Sequence, residues 1–240
     1  LTVENQLLNG EYKEARKTLK NFKKSDDFYF WFRVKKEAQI IAKQKNKEES
    51  LNYLNSQFNK ISQPNKKFLY DMGNFYKNAK KYNQAIEYYS KVIEKLDKNS
   101  EIKSNLLYRR GSSFERLRIY DKADKDLKLS LKIKPDDAYV LNYLAYSWLE
   151  RDYKINDAIK MLETAYAIKS DDPYIIDSIG WAYYLINDFL KAEEFLKRAV
   201  ELMPDDPIVN DHYGDILWKL DRKIQARYFW SSVLNMDDAD

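Results

Sequence analysis

Cysteine is missing from all 240 residues, which excludes disulfides, thiolate metal sites and cysteine nucleophiles. The single histidine, His212, leaves little room for a zinc site or a Ser-His-Asp triad, and no cofactor is expected. Only five glycines and five prolines interrupt a chain that is 44% hydrophobic and 33% charged, a composition of mostly helical sequence. No run approaches 18 apolar residues, so no segment reads as a membrane span. A signal pattern is also lacking, and Leu1 rather than Met stands first; the expectation is a fragment, or a mature chain without its leader.

The net charge of +4 conceals an asymmetry. Residues 1–137 carry 31 Lys and Arg against 19 Asp and Glu, whereas residues 138–240 carry 11 against 19. Such a dipolar chain can steer a partner, and an uneven solvated surface explains the drift equally well. The lysines scatter among acids in "KKSDD", "KQKNKEE" and "KNAKKYNQ". Nucleic acid would need a continuous basic stripe and is not an expected partner.

What the chain does have is a repeat. Ala15, Ser50, Ala85, Ala123, Ala158, Ala192 and Ala226 follow one another at 34 to 38 residues. Twelve residues before most of them stands another small residue: Ala38, Gly73, Gly111, Gly180 or Gly214. Ala145 lies thirteen before Ala158, because "ERDYKIN" holds an extra residue. Each unit reads as two short amphipathic helices: Ile176, Ile179, Gly180 and Tyr183 share one helical face, and Ala192, Phe195, Leu196 and Ala199 share the next. Glycine inside a helix costs roughly 1 kcal/mol against alanine, so close helix packing must offset it. In "DDP" at 171–173 and 205–207, Asp172 and Asp206 are expected N-caps before a proline at the first helical position.

This pattern resembles the tetratricopeptide repeat (TPR) family. The best copy supplies Ile176, Ile179, Gly180, Tyr183, Ala192, Leu196, Ala199 and Pro204. The copy from Leu107 supplies Gly111, Phe114, Ala123, Leu127 and Pro135, but places Arg110 and Ser130 at usually apolar or small positions. The final copy supplies Gly214, Ala226 and Trp230. The resemblance implies an all-α solenoid, a right-handed superhelix of about six helix-turn-helix repeats with first helices lining a concave groove. The expected division is a half repeat at 1–30, a weak repeat at 31–65, and repeats at 66–103, 104–137, 138–172, 173–206 and 207–240. The stretched period at 97–103 marks a longer turn or a hinge.

Tyr76, Phe114, Trp148 and Tyr183 share one repeat position, and with Trp230 they are assigned to the core. The face opposite the core is the candidate protein-binding groove. It carries Tyr108 and Arg109 (with Asn105, Ser112 and Arg116), then Tyr139, Asn142, Tyr143, Tyr146 and Leu149. Tyr174, Asp177, Ser178, Trp181 and Tyr184 follow, then Ile208, Asp211, His212, Asp215 and Trp218. Tyr and Trp bury large area at low entropic cost, which suits a binding face; the bland reading is rings packing across a narrow groove. Asp177, Asp211 and Asp215 favour a basic or polar peptide, and His212 beside Asp211 and Asp215 reads as a set of solvated polar groups rather than as a metal site. The carboxylate clamp of chaperone-binding TPR domains is absent, since Tyr70 stands at its lysine place and Tyr139 and Tyr143 at later ones.

The resemblance implies a non-enzymatic scaffold with a protein or peptide partner. The C-terminal repeats, through Asp177, Gly180, Trp181, Tyr184, His212, Gly214, Asp215, Trp218 and Ala226, are similar to TPR adaptors and lipoproteins of Gram-negative bacteria. Some of these partner a carboxyl-terminal processing protease and its substrates. That likeness implies periplasmic or outer-membrane association, with the cytoplasm as the alternative, although the lipid-attachment cysteine is absent. A second reading is the targeting region of an enzyme whose catalytic domain lies outside these residues.

Overall fold

The computed structural model describes residues 2–21, 27–97 and 100–236, and every regular element among them is an α-helix. The chain divides into two compact units, Leu1–Lys98 with Arg116–Ile119, and Asn99–Glu115 with Tyr120–Asp240. The first holds α1 (Thr2–Leu8), α2 (Tyr12–Asn21), α3 (Asp27–Gln44), α4 (Lys47–Phe58), α5 (Lys66–Asn78) and α6 (Tyr82–Ile93). The second holds α7 (Glu101–Arg116), α8 (Tyr120–Ile133), α9 (Ala138–Leu149), α10 (Ile155–Ile168), α11 (Pro173–Leu185), α12 (Phe189–Leu202), α13 (Pro207–Lys219) and α14 (Lys223–Val233). Of the stretched period, residues 98–99 lie outside the described residues, and α7 opens at Glu101.

Successive helices pair into hairpins, and the small residues show why. A Cβ built on Gly73 would lie 2.5 Å from Tyr89, on Gly180 2.8 Å from Leu196, and on Gly214 2.4 Å from Trp230. The contacted side chain is each time sixteen residues on, in the second helix of the same hairpin. The glycine is the point at which one helix lies against its mate. Aspartates close the helix starts as the sequence suggests: Asp172 accepts from Tyr174 N and Ile175 N, and Asp206 from Ile208 N and Val209 N.

In the α1–α2 turn the left-handed conformation falls on Gly10, with φ 74°, and in five later hairpins ordinary residues adopt it. Lys80, Arg118, Asp152, Asn187 and Asp221 have φ of 58°, 58°, 51°, 62° and 61°, each seven residues after the small residue of its helix. The extra residue of "ERDYKIN" adds a second such position, Lys154, with φ 49°.

Departures from the repeat pattern are internally paired. Ser50, standing where other copies have alanine, donates to the Ala38 carbonyl at 2.6 Å. Ser130 donates to the Ser104 carbonyl at 2.9 Å. Arg110 makes a two-pronged contact with Asp126, at 2.6 and 2.9 Å. At the N-terminus, α1 takes the first-helix place: Val3 stands twelve residues before Ala15, and both are buried with Leu19 and Ile40. Among the expected core aromatics, Tyr76, Trp148 and Tyr183 are buried, whereas Phe114 and Trp230 are half-buried.

Candidate functional site

Each first helix can be counted so that its small residue is position 8. Positions 5 and 6, three and two residues earlier, then decide how neighbouring first helices meet. Position 5 of one helix faces position 6 of the next. Between α3 and α5 this is an ion pair, Lys35 to Asp71 at 2.8 Å, reinforced by Trp31 Nε1 donating to Asp71 at 2.9 Å. Between α7 and α9 it is an edge-on ring pair, Tyr108 and Tyr143, with centroids 5.6 Å apart. Between α11 and α13 it is Asp177 and His212, whose Nδ1 lies 3.0 Å from both carboxylate oxygens.

The seam between α9 and α11 is different. Its position 5 is Asn142, whose Oδ1 is buried with no hydrogen-bond partner. Its position 6 is Ser178, small, with its hydroxyl donating back to the Tyr174 carbonyl of its own helix at 2.8 Å. A cleft of ≈ 160 Å³ opens here, lined by these two with Tyr143, Tyr146, Tyr174, Asp177, Asp206, Ile208 and Val209.

The helical wheel makes Asp177, Asp211, His212 and Asp215 one solvated group, and the structure corrects this. Asp177 is 5% exposed and His212 6%, because both sit in the seam, where a helix flank is covered by the next helix. Asp211 stays exposed and Asp215 half-buried. Burial alone would push the His212 imidazole down. The charge and hydrogen bond of Asp177, with Asp211 and Asp215 adding, instead hold it above its ordinary 6.5. Burial, then Asp211, pushes the Asp215 carboxyl up.

Trp181 and Tyr184, expected as free rings, are occupied with each other and with the pair. Trp181 stacks on His212 at 4.2 Å and on Tyr184 at 4.7 Å, both nearly parallel. Both faces of the indole are therefore covered, and Trp181 and Tyr184 are half-buried. Tyr108, Arg109, Tyr143 and Tyr146 are also half-buried; Tyr143 donates to Glu115 at 2.7 Å and Arg109 to Asn105 at 2.8 Å. Burial pushes the Tyr108 phenol up. Tyr139, Tyr174, Ile208 and Trp218 project into solvent at 49%, 57%, 57% and 39% exposure, with Lys169 over the Tyr139 ring at 4.9 Å. Asn142 and Ser178 both stand on the expected groove face; what the sequence did not reveal is that they meet, an amide against a small side chain where the three seams above hold a matched pair.

Among the described residues no group of three or more His, Asp or Glu is placed to hold a metal ion. No helix there is long and apolar enough to cross a membrane. Stacked helical hairpins with a repeated first-helix seam define an α-solenoid, a class whose members present the first-helix face to ligands. A tetratricopeptide repeat family model matches residues 67–94 and 175–206, one hairpin in each unit. Two hairpins of the chain thus match tetratricopeptide repeats. The chain is 33% identical over 111 residues to a TPR repeat-containing protein of Pseudomonas aeruginosa, covering 46% of this chain and 19% of that protein. Similar folds are a tetratricopeptide repeat protein of Parabacteroides merdae (TM-score 0.66, 14% identity, 85% of this chain and 79% of that one), and PilF of P. aeruginosa (0.61, 18%, 71% and 75%). MamA of Desulfovibrio magneticus is similar over 73% of this chain and 96% of its own (TM-score 0.59, 19% identity). The tetratricopeptide fold is that of a protein–protein interaction scaffold.

Proposed function

We propose that this chain is a non-enzymatic adaptor that grips a protein segment along the first helices of its second unit. The observation that carries this is a pair of large side chains left in solvent at the rim of an unfilled cleft, Tyr174 and Ile208, with Tyr139 exposed on the same first-helix face. Exposed aromatics next to a cavity are the anatomy of an anchor site, where a partner side chain enters and the surrounding rings exclude water. Trp181 and Tyr184 are engaged in stacking with His212 and with each other, so they are not the free platform of this face.

The narrower reading, an adaptor in bacterial envelope proteolysis or assembly with a protease or its substrate as partner, rests on the resemblance of the C-terminal repeats. A targeting region for an enzyme encoded outside these residues is the second reading, and no observation within the chain favours it.

The test is affinity capture from the source cell, read by mass spectrometry, with the native chain and with Tyr174→Ser combined with Ile208→Ser. Both side chains are exposed, so the melting temperature should hold while the captured partner falls by roughly tenfold. Undiminished capture by the double variant would remove this face from the binding site.

A further inference from the structure

In the α3–α5, α7–α9 and α11–α13 seams a matched pair meets, and in the α9–α11 seam none does. Lys35 with Asp71, Tyr108 with Tyr143, and Asp177 with His212 satisfy one another. Asn142 faces Ser178, which is too short to fill the gap and spends its proton on Tyr174. A buried carbonyl-type oxygen without a donor costs free energy that folding alone gives no reason to retain. A polar residue that lines a cavity and has no protein partner is placed to be completed by a ligand group that donates to it.

The chemistry of the walls says which ligand. Two carboxylates, Asp177 and Asp206, border the cleft with three tyrosine rings, and no lysine or arginine lines it among the described residues. The positive feature nearby, the start of α13, is already answered, because Asp206 accepts from both Ile208 N and Val209 N. What remains is acceptor oxygen and π-faces, the environment that an ammonium group prefers over a neutral or anionic one. At ≈ 160 Å³ the cleft holds the volume of roughly five waters, room for one side chain and not for a folded element.

We infer that the α9–α11 cleft is the pocket for a lysine side chain of the bound segment, with Asn142 Oδ1 accepting from its ammonium group and tyrosine rings flanking its stem. This rests on the groove reading above and specifies its central contact. The polarity is opposite to that of the carboxylate clamp whose residues this sequence lacks.

The experiment passes degenerate peptide libraries over the immobilised full chain. One library is fixed at its centre as lysine, one as N-ε-acetyl-lysine and one as glutamate. The lysine library should be retained roughly tenfold or more over the other two, the size expected of a hydrogen bond to a charged donor. Asn142→Leu should abolish that preference with the melting temperature unchanged or raised, since it removes the unpartnered oxygen. A readout that needs no variant is the side-chain amide resonance of Asn142, which should move with the lysine library and not with the acetyl-lysine one. Equal retention of all three libraries, or preference for either competitor, overturns the lysine pocket and leaves the groove reading standing. Retention of none overturns both.

Discussion

The α9–α11 and α11–α13 seams occupy the same repeat positions on opposite flanks of one helix, yet they are built in opposite ways. Asp177 and His212 close theirs with a buried, hydrogen-bonded pair under a stacked indole. Asn142 and Ser178 leave theirs open, with an unanswered oxygen and a cavity. The backbone scaffold is common to both, so the contrast lies in the two side chains that meet. A repeat protein can thus convert a structural contact into a binding site by substituting within a seam, without altering the hairpins that carry it.

The largest effect should come from breaking the closed seam. His212→Ala strands the Asp177 carboxylate in a site where it is 5% exposed. The expected loss is about 3–5 kcal/mol, the usual cost of leaving one member of a buried pair alone, measured by urea denaturation of the second unit's transition. A loss below 1 kcal/mol would mean the pair is not buried as described.

Next in size is Gly180→Leu, which moves α12 away from the helix that supplies both seams. An added Cβ alone would sit 2.8 Å from Leu196 and 3.1 Å from its backbone nitrogen, so overpacking should cost about 1–3 kcal/mol. An unchanged melting temperature would show that the hairpin register is wrong.

A pH titration separates the two seams with a smaller signal. The imidazole of His212 is held above its ordinary 6.5 in the fold, so its contribution is fully present below pH 6.5 and lost as pH rises through the raised value. The stability difference between the native chain and His212→Gln should therefore shrink on going from mildly acidic to alkaline solution. Asn142→Leu should show no such pH dependence relative to the native chain. A difference that grew with pH would reverse the assigned sign.

The hairpins were legible because a missing side chain leaves a mark in sequence: Gly73, Gly111, Gly180 and Gly214 recur at one spacing, and each turns out to touch the second helix of its own pair. The core stripe through Tyr76, Trp148 and Tyr183 was legible for the same reason. The seams were not. A helical wheel sorts residues by angle about one axis, and Asp177, Ser178 and His212 point away from their own hairpin. Whether they meet solvent or another helix depends on how closely the next repeat stacks, which no single helix encodes. The left-handed turn residues were hidden too, because Lys80 and Arg118 are not residue types that announce that conformation.

The most direct test exchanges one seam for the other. Asn142→Asp combined with Ser178→His places the closed pair in the open seam, leaving every hairpin contact in place. The expected result is a melting temperature at or above that of the native chain, with retention of the lysine library reduced to background. Retention at the native level by a folded double variant would contradict it, since the cleft would then have no part in binding.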